Sequence, residues 1–190
     1  MPFELQPVLT GDLVELRPLR EEDFPALFAV ASDPLIWEQH PEPDRCTEPV
    51  FRRFFRGAME SGGAFLVLDR TDGRVIGSSR YAGYVEEQRR EGVAGDGGAS
   101  EIEIGWTFLA RSHWGGAHNR EMKRLMLDHA LRFVNRVIFR VGPHNLRSQR
   151  AMQKIGGVCL GLEPHPERGD PVVVYEITRE SRSAGAFSPI

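Results

Sequence analysis

Three rhythms of apolar residues alternate along this chain, and the changes between them mark out its elements. Residues 12–19 read as a strand, with Leu13, Val14 and Leu16 ahead of Pro18. Over 20–32 the apolar positions Phe24, Leu27, Phe28 and Ala31 fall at helical spacing behind an acidic first turn, and Asp33-Pro34 stops that helix. A second helix is predicted from Thr47, as its cap, through Phe51, Phe54, Phe55 and Met59 to Gly62-Gly63. Residues 64–69 and 74–84 are β-rich and joined by Thr71-Asp72-Gly73, the pattern of a hairpin. The stretch 86–100 is charged, then glycine-rich, and has no period, as expected of a loop.

Strict alternation returns at 101–109, which sets Ile102, Ile104 and Trp106 against Glu101, Glu103 and Gly105. The longest helix is predicted over 117–135, a strand over 137–141, and a helix over 145–155 capped by Asn145 and ended by Gly156-Gly157. Strands over 158–162, with Cys159 read as core, and over 171–178 complete the pattern, and 181–190 reads as a frayed tail. The order β, α, α, β, β, β, α, β, α, β, β predicts an α/β protein with one mixed sheet of about seven strands and about four helices. It is antiparallel at first and crosses over through helices later. Regular βα alternation is absent from this order, which disfavours a doubly wound dinucleotide fold.

Length and composition narrow the setting. At 190 residues, 41% hydrophobic and 27% charged, the chain suits one soluble domain over 1–180. A net charge of −3 offers no bulk attraction for nucleic acid. No apolar run approaches the ~18 residues of a membrane span, and the N-terminus lacks the pattern of a signal peptide. Two cysteines, Cys46 and Cys159, are too few for a disulfide framework, so a reducing, cytoplasmic setting is expected.

The junction 111–121 carries the candidate chemistry. Gly115, Gly116 and Ala117 leave backbone amides uncovered at a helix start, where the dipole favours an anion. His118, Arg120, Lys123 and Arg124 crowd the first turns, where cations are unfavourable unless an anion is bound. A plain turn with a solvated basic face fits the same residues. Neither phosphate-loop nor dinucleotide glycine spacing is present.

The element order, the strand Glu103-Ile104-Gly105-Trp106-Thr107-Phe108-Leu109, the Trp114-Gly115-Gly116 turn and the helix from Asn145 to Gly156 together resemble the GNAT acetyltransferases, within them the branch of the ribosomal-protein N-terminal acetyltransferases. The likeness spans residues 11–178. It implies that Trp114, Gly115, Gly116, Ala117, His118, Asn119, Arg120 and Lys123 hold the pyrophosphate of acetyl-CoA. It also implies that Thr107, Phe108 and Leu109 pair with the pantetheine arm, and that Asn145 and Ser148 contact it. The chain departs from the family pattern in three places. Ser112 begins the glycine motif with Arg111 one residue earlier, Met152 stands where many relatives carry a proton-donating tyrosine, and Gly157 replaces an aromatic residue.

Acetyl transfer to an amine needs a base and a donor for the oxyanion. A strand amide near Thr107 or Phe108 can supply the donor. Glu103, nearer the turn, is the preferred base or water-binder and Glu101 the second, although strand alternation alone also explains two solvent-facing carboxylates. Tyr81 is a candidate at the acceptor or as acid. The segment around Trp37, Glu38, Gln39 and His40 is where relatives line the acceptor pocket, although a lone tryptophan is more commonly a core plug. The six histidines form no two-histidine helical pair with a glutamate, so no metal is expected. The expected function is transfer of an acetyl group from acetyl-CoA to a primary amine, either a protein N-terminus or a small amine. The alternatives are another acyl group or a non-catalytic acyl-CoA sensor. A homodimer and a monomer are equally open.

Overall fold

The computed structural model describes residues 3–85, 100–166 and 168–183. Its centre is an eight-stranded sheet in the order β1-β2-β3-β4-β5-β6-β8-β7. The strands are β1 (Leu9–Thr10), β2 (Val14–Pro18), β3 (Ala64–Asp69), β4 (Val75–Val85), β5 (Glu101–Leu109), β6 (Arg136–Val141), β7 (Val158–Pro164) and β8 (Pro171–Thr178). Every neighbouring pair is antiparallel except β5 and β6. The helices are α1 (Phe24–Ala31), α2 (Glu48–Glu60), α3 (Ala117–Ala130), α4 (Leu146–Lys154) and α5 (Arg179–Ser183). The strand and helix beyond the expected number are the two-residue β1 and the five-residue α5, both too short to show a period. No helix among the described residues is long and apolar enough to cross a membrane. The loop expected over 86–100 falls, except for Ser100, outside the described residues.

Two cores sandwich the sheet. One joins β2, β5, β6 and α3 through Leu16, Ile102, Ile104, Met122, Met126 and Phe139. The other packs α1 and α2 through Leu27, Trp37, Phe51, Phe55 and Phe108. Phe51 and Phe55 lie four residues apart on one helix face, which is why the aromatic spacing in the sequence identified α2.

Several local expectations change. Thr47 precedes α2, but its hydroxyl donates to the Asp44 carbonyl (2.8 Å) and leaves the helix amides alone. The long helix ends at Ala130, five residues early: the Arg132 and Phe133 N–H groups turn to the His129 (3.2 Å) and Ala130 (2.9 Å) carbonyls, and the Arg179 guanidinium takes those of Leu131 (3.0 Å) and Val134 (3.2 Å). Asn145 caps α4 as expected, its side-chain oxygen accepting from the Ser148 N–H at 3.0 Å. Cys159 is exposed rather than core, since β7 is the edge strand and Val158, Leu160 and Leu162 are exposed beside it.

Candidate active site

Strands β5 and β6 pair for only three residues, Glu101–Arg136, Ile102–Val137 and Glu103–Ile138. Beyond these they part. From Ile104 onward the β6-facing edge of β5 borders a cleft of about 640 Å³ instead of a neighbouring strand. The register of β4 on β5 slips between Ser78 and Arg80, so one extra β5 residue bulges there. Trp106 sits in that bulge with φ of +51°, a left-handed conformation of the kind that costs about 1–3 kcal/mol in a non-glycine residue. The Arg80 guanidinium lies 4.6 Å over its ring.

The far end of the cleft is the junction into α3. Trp114 folds back, its indole N–H donating to the Leu109 carbonyl at 2.9 Å, and Gly115 turns the chain with φ of +67°. The Arg111 side chain holds Asp33 at 2.5 Å and anchors the turn to the end of α1. Gly116 is the N-cap, no side chain caps the helix and no acid occupies its first turn. Uncovered amides and the helix dipole thus face the cleft together. Across it, the Arg147 guanidinium from α4 stacks 3.8 Å over Trp114 and donates to the Ile36 carbonyl. That cross-brace was not read from the sequence, because nothing in the local pattern near residue 147 points to residue 114.

The expected site residues divide. Thr107, Phe108, Leu109, Trp114, Gly115, Gly116, Asn119, Arg120, Asn145 and Ser148 all line the cleft, as do Trp37 and Glu103. Ala117 and His118 do not. His118 turns beneath the junction towards Asp69, and its ring packs edge-on against His113 with centroids 4.7 Å apart. Arg124 points along the helix face to Glu121 and Asp128. Of the four cations expected at the helix start, Arg120 remains exposed at the rim, where Arg150 and Lys154 from α4 also stand.

Lys123 reaches the cleft from behind. It is 3% exposed, and its ammonium donates to Thr107 Oγ1 at 2.7 Å, which also meets Ser79 Oγ at 2.8 Å. Burial pushes its pKa down to about 7. It is three residues beyond Arg120, on the sheet-facing side of α3, so it supports the floor of the cleft rather than its rim.

Glu101 pairs with Arg136 outside the cleft and Glu103 with Arg140 inside it. Both residues were expected on one face, and the splay separates them. Gly105 leaves room for the Glu103 carboxylate, since a Cβ there would stand 3.0 Å from Oε1. Tyr81 is fully buried, and its hydroxyl donates to the Met126 carbonyl at 2.5 Å. Burial raises its pKa well above the usual value, and the residue holds α3 to the sheet instead of facing an acceptor. Trp37 does two things. Its indole N–H donates to the Ala31 carbonyl at 2.7 Å in the core, while its edge walls the cleft beside His40. His40 is held neutral, its pKa lowered to about 3 by burial and then by Arg45.

A profile of the acetyltransferase (GNAT) domain matches residues 14–158, a span that runs from β2 through α4 and contains the splayed strand β5, the turn at Gly115–Gly116 and Asn145. The chain belongs to the GNAT acetyltransferase family. This acetyltransferase has the fold of a GCN5-related N-acetyltransferase from Brucella melitensis, with TM-score 0.76 and 19% identity over 96% of this chain and 83% of that one. It is also similar to a GNAT-family acetyltransferase from Bacillus anthracis, with TM-score 0.70 and 21% identity over 91% and 99%. Mycobacterium smegmatis RimJ, solved in complex with CoA-disulfide, matches with TM-score 0.63 and 20% identity over 88% and 82%. No curated protein matches the chain significantly. Membership makes this protein an acyltransferase enzyme of a family that uses acetyl-CoA.

Proposed function

We propose that this acetyltransferase binds acetyl-CoA along the open edge of β5 and passes its acetyl group to a primary amine, a protein N-terminus or a small amine. The observation that carries the reading is the splay itself. Past Glu103 the β5 backbone has no strand on its β6 side, and the groove so formed leads to the uncapped N-terminus of α3. An extended amide-bearing arm can pair with that edge as a missing strand would. A pyrophosphate suits the amides at Gly115–Gly116 with Arg120 at the rim. Asn145 and Ser148 flank the arm from α4.

The amine enters beside Trp37 and Glu103. Glu103 is held by Arg140, which fits positioning a water that takes the amine's proton better than direct abstraction. An α-amino group with pKa near 7.7–8 needs less help than a lysine near 10.4, so such an acceptor suits a modest base. Met152, buried at 3%, carries no proton for the departing thiolate, which then takes one from water or from the ammonium. A backbone N–H of β5 near Thr107 or Phe108 would stabilise the oxyanion.

Calorimetric titration with acetyl-CoA, followed by thiol release over a panel of amines, tests the proposal. Binding with turnover on an amine is expected. Binding without turnover on any amine favours an acyl-CoA sensor, and absence of binding overturns the assignment of the cleft. Arg120→Glu is expected to weaken cofactor affinity at least about tenfold, since it replaces a phosphate-facing cation by an anion. Glu103→Gln is expected to lower kcat about 100-fold with cofactor affinity unchanged.

A further inference from the structure

Beneath the cofactor turn, outside the cleft, three side chains converge from separate elements. Asp69 ends β3, His113 lies in the single turn before Trp114, and His118 is in the first turn of α3. Asp69 Oδ2 is 2.9 Å from His113 Nε2 and 3.4 Å from His118 Nε2, and the three candidate donor atoms all lie within 4.8 Å of one another. A tetrahedral zinc ion with bonds of 2.0–2.1 Å separates its ligand atoms by about 3.3 Å, close to both distances. Asp69 is 6% exposed, and the two histidine side chains are 16% and 23% exposed.

The donor atoms are aimed by their neighbours. Asp69 Oδ1 accepts from the Thr71 hydroxyl (2.6 Å) and the Thr71 N–H (2.7 Å), which leaves Oδ2 towards the histidines. His113 Nδ1 lies 2.9 Å from Ser112 Oγ, so the tautomer with its proton on Nδ1 has a partner and leaves Nε2 as a bare donor. Outer partners of this kind orient metal ligands. A hydrogen bond between His113 and Asp69 accounts for that pair alone. It does not account for His118 Nε2, which is shielded from solvent, makes no hydrogen bond and points at the same carboxylate. A buried polar atom left in this way calls for a group that completes it.

We infer that Asp69, His113 and His118 form a zinc site, with a water as the fourth ligand. None of the three lines the cleft, so the ion acts on the scaffold. His113 and His118 bracket Trp114-Gly115-Gly116, and a shared ion fixes both ends of that turn to β3. This consequence for the turn rests on the cofactor reading above; the zinc site does not. The helical spacing sought in the sequence misses the cluster because its histidines straddle a break between two elements and its carboxylate is 44 residues away.

Untagged, chelator-stripped protein titrated with zinc alone, against a chromogenic chelator, tests the site without any enzymatic readout. One zinc per chain is expected, with a rise in melting temperature on its addition. His118→Ala and Asp69→Asn are each expected to weaken binding at least about tenfold, and His113→Ala likewise. His144→Ala, an exposed histidine elsewhere, is expected to leave it unchanged. No uptake, uptake unaffected by His118→Ala and His113→Ala, or equal loss in His144→Ala overturns the inference. If acetyl-CoA binding fails while zinc binds, the cofactor reading falls and the metal site stands.

Discussion

Replacing Glu121 by Ala is expected to destabilise the protein by about 3 kcal/mol, because three backbone donors lose their acceptor at once. Its Oε1 accepts from the Asp12 N–H at 2.9 Å, and its Oε2 accepts from the N–H groups of Leu13 (2.7 Å) and Val14 (2.9 Å). One carboxylate on α3 therefore terminates the turn between β1 and β2. Gly11 leaves the carboxylate its place, since a Cβ there would come within 2.4 Å of the carboxyl carbon. In a chain of this size the melting temperature should fall by roughly 6–12 °C, readable by calorimetry. A fall below about 2 °C would remove Glu121 from this role. Burial opposes ionisation of this carboxyl, but the three N–H bonds prevail and hold its pKa below the ordinary value. Its contribution is thus present at neutral pH and is lost as pH falls through the folded-state pKa.

Lys123→Met is expected to act in the opposite direction. Among the described residues no carboxylate answers the buried ammonium, whose contacts are Thr107 Oγ1 and the Phe139 ring at 5.5 Å. Its folded pKa of about 7 lies well below the model-peptide value of 10.5. Between these values the unfolded chain binds the proton and the folded chain does not, so this group makes stability rise with pH from about 7 to 10.5. At pH 6 the charged form carries the full penalty, on the order of 5 kcal/mol. Methionine fills a similar volume without charge. The variant should be the more stable protein at pH 6 and nearly equal to the parent above pH 10. Denaturant melts at both pH values check this, and a variant less stable than the parent at pH 6 would refute the account.

Lys123 shows why three of the four cations expected at the helix start do not stand at the rim of the cleft. A run of cations at a helix start reads as one patch in sequence, yet a helix turns 100° per residue and spreads them over every face. Arg120 faces the rim, Lys123 the sheet, Arg124 the solvent and His118 the underside of the turn. Nothing in the sequence states where the sheet lies relative to that helix. Glu101 and Glu103 diverged for a related reason. Alternation places them on one face, but only Glu103 lies where β6 leaves β5.

By itself, then, the sequence determined what local periodicity and local stereochemistry control. The element order, the aromatic face of α2, the hairpin closed at Gly73, the Asn145 cap and the glycine turn at 115–116 all depend on neighbours within about four residues. Tertiary structure alone decided whatever depends on residues far apart in the chain. The splay of β5 from β6, the bulge at Trp106, the brace of Arg147 on Trp114, the carboxylate of Glu121 on β2 and the meeting of Asp69 with two histidines belong here. Each is set by where packed elements come to rest, and packing energy is shared among distant side chains that no short window of sequence contains.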